Sequence, residues 1–224
     1  MPSRYLQRNF KPNRYYHIFN RGGFKQKIFL KKNDYDVFLD ILKYYLRYPK
    51  ISSLSRLTDK QFNKIKKRNS PKPYRLIAYC LMPNHFHLLL RQNLKEPTLT
   101  DLLRKLSVTY ALYFQHTYKH SGALFQGRFR CVHVFDDEQL LYLSKYIHLN
   151  PQRTVGSVPT DFRYSSLRDY LHLNQKPKDW LDSKSIFDKF FSKAINPVAD
   201  YHSFLSASND HAQIIKVLNK KTLE

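Results

Sequence analysis

Hydrophobic and polar residues alternate along residues 15–20 and 129–135, as expected for strands with one buried face. Two further apolar segments, residues 74–81 and 85–90, are also typical of strands. Only Met82-Pro83-Asn84 separates these two segments, so we expect them to pair as neighbouring antiparallel strands. The chain therefore contains four predicted strands.

Apolar residues at helical spacing predict three helices in the segments between and after these strands. One helix is expected at residues 33–48, with Asn33 as its N-cap, and a second at residues 98–118. Asp136 and Gln139 resemble a capping box, which predicts that a third helix begins there and runs to about residue 150. Proline at position 151 ends that helix.

The resulting order β-α-β-β-α-β-α predicts an α+β fold of the ferredoxin-like kind, an antiparallel sheet with helices packed on one face. We expect residues 1–158 to form this main domain and residues 159–224 to form a mostly helical extension that packs on it. A basic segment near residues 50–73 interrupts the pattern. It is either a solvated insertion or a contact for phosphates.

The charge of the chain narrows the class of partner. Its 224 residues include 39 Lys and Arg against 17 Asp and Glu, a net charge of +22, which favours binding to polyanions and above all to nucleic acid. An anionic membrane is the runner-up, but no basic amphipathic anchor, lipidation signal or apolar segment of about 20 residues is present. We therefore expect a cytoplasmic, nucleoid-associated protein in which Cys80 and Cys131 are buried free thiols.

Candidate chemistry begins with His85 and His87, which are two residues apart in a predicted strand. Residues i and i+2 of a strand face the same side, so both imidazoles project together while Phe86 faces the other way. Two imidazoles in this arrangement can chelate one divalent cation. The alternative is a half-buried pair whose hydrogen bonds are satisfied within the fold.

The last predicted helix carries Tyr146 and Asn150, which lie one turn apart on the same helix face. Both flank the apolar stripe of that helix, where a side chain can reach the sheet surface. Alternatively, Tyr146 is an aromatic residue at the core edge and Asn150 a C-cap. Tyr142 shares the face of Tyr146 and is a rival nucleophile, whereas His148 faces away and is the weaker ligand candidate.

Several short motifs occur in the same order as in one known group of proteins. They are YHIFNRG at 16–22, AYCLMPNHFHLLL at 78–90, GALFQGRF at 122–129, YIHLNP at 146–151 and YSSLRDY at 164–170. Over roughly residues 12–172 the chain resembles the single-tyrosine transposases of the HUH class, in particular the REP-associated tyrosine transposases.

The resemblance implies an enzyme whose nucleophile is Tyr146. It implies that His85 and His87 bind Mg²⁺ or Mn²⁺, with Asn150 as a third ligand where related transposases often carry glutamine. The implied activity is metal-dependent cleavage and strand transfer of single-stranded DNA with REP-like hairpins, through a covalent 5′-phosphotyrosine. The competing hypothesis is a domesticated protein that binds hairpin DNA, or RNA, without cutting it.

Single strands are held by basic grooves that also offer aromatic rings for stacking. Phe125 is the candidate for stacking, although it is alternatively a core anchor. The candidate phosphate contacts are Arg21, Arg128, Arg130, Lys145 and Arg153. Lys145 is in addition a candidate for lowering the pKa of the neighbouring tyrosine. We expect a monomer, with a dimer as the alternative.

Overall fold

The computed structural model describes residues 9–51, 72–152, 157–173 and 178–207. The predicted basic insertion near residues 50–73 lies almost wholly outside the described residues. Arg153, one of the predicted DNA contacts, also lies outside them.

A four-stranded antiparallel sheet forms the centre of the molecule, with the strand order β2-β3-β1-β4. Its strands are β1 (Arg14–Arg21), β2 (Tyr74–Met82), β3 (His85–Gln92) and β4 (Arg130–Val134). All four predicted strands are confirmed to within about two residues, and so is the antiparallel pairing of the two apolar segments.

Three long helices follow the strands in the predicted order: α1 (Lys32–Arg47), α2 (Leu99–Tyr118) and α3 (Asp137–Leu149). Asp136 caps α3 as predicted, because its carboxylate accepts a hydrogen bond from the Gln139 amide at 2.8 Å. The predicted Asn33 cap of α1 is wrong. The N-cap is Lys31, and Asp34 at the third helical position accepts the backbone N–H groups of Leu30 and Lys31 with its buried carboxylate at 2.7 and 2.8 Å.

The helices cover both faces of the sheet. Phe86, Leu88 and Leu90 of β3 pack into the core that α1 and α2 close, whereas Leu89 and His87 face α3 on the other side. The α+β class and the packing of the two crossover helices on one face are therefore as predicted. The expectation of one covered face is wrong for α3, which buries its apolar stripe against the opposite face, mainly on β2.

The described residues that follow, 157–173 and 178–207, pack over α3 and along β2. They contain the short helices α4 (Leu167–Tyr170), α5 (Lys184–Phe190) and α6 (Pro197–Ser206). Tyr201 of α6 is fully buried, and its hydroxyl lies 2.8 Å from Nδ1 of His148 and 3.0 Å from Oγ of Ser144. Helix α3 is thus enclosed between the sheet and this segment, which leaves only part of its surface for chemistry.

Two expectations from composition concern the cysteines and membranes. Cys80 and Cys131 are buried free thiols, as predicted. In the part of the chain that the structure describes, no helix has the length and apolar character needed to cross a membrane.

Candidate active site

His85 and His87 lie side by side on the α3 face of the sheet. Their ring centroids are 5.1 Å apart and the rings are nearly perpendicular. The regular alternation of β3 causes this arrangement, since it turns Phe86 into the opposite core. The structure therefore brings together the two imidazoles that the sequence singled out.

Helix α3 adds Tyr146 and Asn150 to this pair. The Tyr146 ring contacts His87 edge-to-face with 5.5 Å between centroids, and Oδ1 of Asn150 lies 3.1 Å from Nε2 of His85. The Asn150 side chain also hydrogen-bonds the Tyr146 phenol. The backbone of Asn150 is the C-cap of α3, so the capping role and the contact with His85 coexist. These four side chains form one cluster, called the histidine–tyrosine cluster below.

The hydrogen bonds of His85 decide which of its nitrogens is available to a ligand. The Asn84 amide donates to the Lys25 carbonyl at 3.3 Å, which turns its oxygen toward Nδ1 of His85 at 2.7 Å. With Nδ1 engaged by Asn84, Nε2 of His85 faces the Asn150 oxygen at 3.1 Å. A cation bound at this corner would meet an imidazole nitrogen and an amide oxygen, so this part of the site fits a metal ion.

His17, in the middle of β1, belongs to the same cluster and was not predicted. Its Nε2 lies 2.9 Å from Nδ1 of His87, and the two rings stack with 5.1 Å between centroids. This bond leaves Nε2 of His87 for a ligand. The alternation of β1 predicts that His17 and Phe19 share a face, but only the register, which sets Phe19 opposite His87, places them beside the pair.

Burial sets the protonation states of the cluster. It lowers the pKa of His17 to about 3. Burial also lowers the pKa of His85 and, well below the usual value, that of His87, where the neighbouring imidazoles add a smaller effect. All three histidines are therefore neutral at pH 7, as metal ligands must be. The pKa of Tyr146 is raised by burial, and the hydrogen bond from Asn150 opposes that rise.

The donor set is suited to a divalent cation with open positions. Among the described residues, no group of three His, Cys, Asp or Glu side chains is placed to hold a metal. An ion held by two imidazoles therefore needs the Asn150 amide oxygen and oxygens from outside the chain. Mixed imidazole and amide ligands suit Mn²⁺ better than Mg²⁺, which prefers oxygen ligands.

A cavity of about 370 Å³ opens beside His85. Its lining includes Arg21, Lys25, His85, Gln126, Arg128 and Arg130, that is, four cations and no carboxylate. Arg21 pairs directly opposite His85 in the sheet, and its Nε donates to Gln126. The structure thus gathers three of the predicted phosphate contacts at one cationic cavity, called the basic cavity below.

Two other predicted DNA contacts are wrong. Lys145 is fully buried, and its ammonium donates to the carbonyls of Phe204 at 2.6 Å and Ala207 at 2.9 Å. It faces the C-terminal segment, so DNA cannot reach it, and the pKa of the neighbouring Tyr146 is raised by burial rather than lowered as predicted. Phe125 is a core residue, 8% exposed, and packs edge-to-face on Phe86.

The two other candidates on α3, Tyr142 and His148, both contact residues of the C-terminal segment. The Tyr142 ring packs against Phe204, with 5.6 Å between ring centroids. His148 is fully buried and lies 2.8 Å from the Tyr201 hydroxyl and 2.7 Å from Oγ of Ser166. Tyr146 is thus the tyrosine of α3 that contacts the histidines.

A family model described as IS200-like transposase matches residues 10–150. Among solved structures, the chain is similar to a REP-associated tyrosine transposase bound to a REP hairpin, with a TM-score of 0.52 and 16% identity over 79% of this chain and 89% of that one. A protein of Deinococcus radiodurans described as a transposase matches with a TM-score of 0.37 and 16% identity, over 63% of this chain and 93% of that one. No curated protein matches the chain.

Proposed function

The chain belongs to the IS200-like transposase family, and we propose that it cuts and rejoins single-stranded DNA through a covalent bond to Tyr146. The similar solved transposase is bound to a REP hairpin. We propose that hairpin-bearing DNA is also the substrate class of this chain. One observation carries the proposal: the Asn150 side chain contacts both His85 and the Tyr146 phenol, which ties a candidate metal ligand to a candidate nucleophile.

In the proposed reaction, the Tyr146 oxygen attacks the scissile phosphorus opposite the 3′-oxygen. A bond forms between phosphorus and the phenolic oxygen, and the bond from phosphorus to the 3′-oxygen breaks. The proton lost by the phenol balances the one that the leaving 3′-hydroxyl gains. The downstream strand stays attached to the protein as a 5′-phosphotyrosine, so attack by another 3′-hydroxyl can reverse the step and join new ends.

The residues of the histidine–tyrosine cluster have different roles in this proposal. His85 and His87 would hold the divalent cation through Nε2, because their Nδ1 atoms are engaged by Asn84 and His17. A cation bound there would supply positive charge to stabilise the charge that develops on the phosphate oxygens. Asn150 directs its oxygen to the His85 side and its N–H to the phenol, which favours the phenolate that must attack.

The basic cavity provides a path for the strand next to the cluster. Arg21, Arg128 and Arg130 contribute positive charge within one cavity that also includes His85. We propose that they bind the phosphates beside the scissile one and so hold the strand in register. We propose a monomer as the active unit, because His85, His87, Tyr146 and Asn150 contact one another within a single copy of the chain.

An adduct assay tests the proposal. The protein is incubated with Mn²⁺ and a labelled hairpin oligonucleotide and then run on a denaturing gel. We expect a protein–DNA adduct with the wild type and with Tyr142→Phe, the matched control on the same helix, but none with Tyr146→Phe. Chelation of the metal should abolish the adduct as well.

The same assay separates the competing hypothesis. Tight binding of the hairpin by the wild type without any adduct would favour a protein that binds and does not cut. An adduct that persists in Tyr146→Phe would show that another residue is the nucleophile.

A further inference from the structure

The turn that follows β1 presents Phe24 wholly to solvent. Its side chain is 104% exposed, whereas most large apolar residues of the described chain are buried. A single exposed apolar side chain is ordinary on a protein surface. Phe24 differs from an ordinary one in the rigidity of its backbone and in the charge around it.

The backbone of this turn is held on several sides. Phe24 has φ 50° and ψ 28°, a left-handed conformation that is rare for a residue with a side chain. A β-carbon on Gly22 would come within 2.2 Å of the Gln26 carbonyl oxygen, so the turn requires glycine there. Its hydrogen bonds are Gly22 N–H to Asn84 O (2.9 Å), Gly23 N–H to Leu124 O (3.0 Å), Lys25 N–H to Gly22 O (3.1 Å) and Gln26 N–H to Gly23 O (2.9 Å). The exposed ring is therefore carried on a fixed support.

The turn is also joined to the candidate active site. Lys25, the next residue, lines the basic cavity. Its carbonyl accepts the Asn84 amide at 3.3 Å, and the Asn84 oxygen lies 2.7 Å from Nδ1 of His85. Two hydrogen bonds thus connect the support of the Phe24 ring to a candidate metal ligand.

We propose that Phe24 stacks on an unpaired base of the bound single strand, beside the basic cavity and next to the scissile phosphate. The inference rests on the proposed function, since it needs single-stranded DNA in that cavity. A cationic groove flanked by an aromatic ring is the arrangement by which proteins hold single strands, because every base offers a π face. One ring among cations is too small an apolar surface to hold a second copy of the chain.

Binding without cleavage tests the stacking directly. Affinity for a fluorescent hairpin oligonucleotide with a single-stranded flank is measured in EDTA, so that no strand is cut. Loss of one stacked base weakens binding roughly tenfold, and we expect this loss for Phe24→Ala. Phe24→Trp should keep the affinity and show quenched tryptophan fluorescence on binding. Ile195→Ala is the matched control, because that side chain is equally exposed (105%) and lies in the C-terminal segment.

Abasic sites in the flank locate the base. We expect one position at which removal of the base weakens binding to the wild type about tenfold and has no further effect on Phe24→Ala. Wild-type affinity in Phe24→Ala, or equal losses in both proteins at every position, would overturn the stacking role while leaving the proposed cleavage intact. A changed oligomeric state of Phe24→Ala would assign the ring to a protein contact instead. Failure of the wild type to bind single strands would overturn both proposals.

Discussion

At the scale of single residues, hydrogen bonds decide which nitrogen of each histidine remains for a ligand. Asn84 engages Nδ1 of His85, and His17 engages Nδ1 of His87, so both rings keep Nε2 for the same space. Partners of this kind orient ligands and fix their tautomers, and they commonly affect metal affinity 10- to 100-fold. We therefore propose that His17 positions His87 and is not itself a ligand.

Replacement of His17 tests this role. We expect His17→Phe to weaken Mn²⁺ binding by roughly 10-fold or more, because Nδ1 of His87 loses its partner. His17→Gln keeps a polar partner and should restore part of the affinity. Mn²⁺ titration followed by electron paramagnetic resonance measures binding without any DNA. His133→Phe is the control, since that histidine packs against Tyr16 and Phe135; equal affinities for all these proteins would contradict the role.

The sequence predicted the residues whose position follows from local geometry alone. His85 and His87 share a face because of strand alternation, and Tyr146 and Asn150 because of helical spacing. His17 could not be predicted, since its place depends on the pairing of β1 with β3, which joins residues 70 positions apart. Their roles as ligands and nucleophile stay predictions.

The two wrong predictions of DNA contacts also concern residues whose position depends on long-range packing. Lys145 and Phe125 are polar or aromatic and lie beside predicted functional residues, so composition favoured DNA for both. Their direction in space depends on what packs around them: the C-terminal segment at Lys145 and the core under α2 at Phe125.

At the scale of elements, α3 depends on a chain of hydrogen bonds to the segment that covers it. It runs from Ser166 Oγ to Nε2 of His148 (2.7 Å), from Nδ1 of His148 to the Tyr201 hydroxyl (2.8 Å) and from that hydroxyl to Oγ of Ser144 (3.0 Å), which donates to the Leu141 carbonyl (2.7 Å). Burial lowers the pKa of His148 to about 3, so the ring is neutral at pH 7. This chain fixes the helix that carries Tyr146.

Tyr201→Phe tests the chain of hydrogen bonds with little change in packing. The substitution leaves the buried Nδ1 of His148 without its hydrogen-bond partner, which should cost about 1–3 kcal/mol of the free energy of unfolding. Urea denaturation followed by circular dichroism measures the loss. Tyr164→Phe removes a partly exposed hydroxyl 3.5 Å from the Lys32 carbonyl and should cost much less. The same small loss in both variants would contradict the account of α3.

Periodicity predicted which elements form but not how α3 is placed. A 3.6-residue repeat identifies the apolar side of a helix, yet both faces of this sheet are apolar along β2 and β3. The choice of face therefore depends on the rest of the fold, including residues 157–207, whose aromatic residues pack with α3 in the second core.

At the scale of the whole molecule, the net charge of +22 attracts nucleic acid from any direction, whereas the basic cavity selects where the strand lies. These two effects respond differently to substitution. A cation in the cavity contributes a specific phosphate contact, while a cation elsewhere adds only to the general field.

Salt dependence distinguishes the two effects. We expect Arg128→Gln to weaken binding of single-stranded DNA and to reduce the slope of log affinity against log salt by about 1, because one phosphate contact is lost. Arg75→Gln removes the same charge from the β2 strand, where Arg75 is paired with Asp182 at 2.9 Å, and should leave the slope unchanged. Equal slopes for both variants would place the strand outside the basic cavity.

The identity of the nucleophile is the centre of the whole account, and peptide mapping of the covalent adduct measures it most directly. Trypsin cuts after Lys145 and Arg153, so Tyr142 and Tyr146 fall in different peptides, residues 131–145 and 146–153. After nuclease treatment of the adduct, mass spectrometry should find the nucleotide remnant on residues 146–153. A remnant on residues 131–145, or on any peptide without Tyr146, would contradict the account.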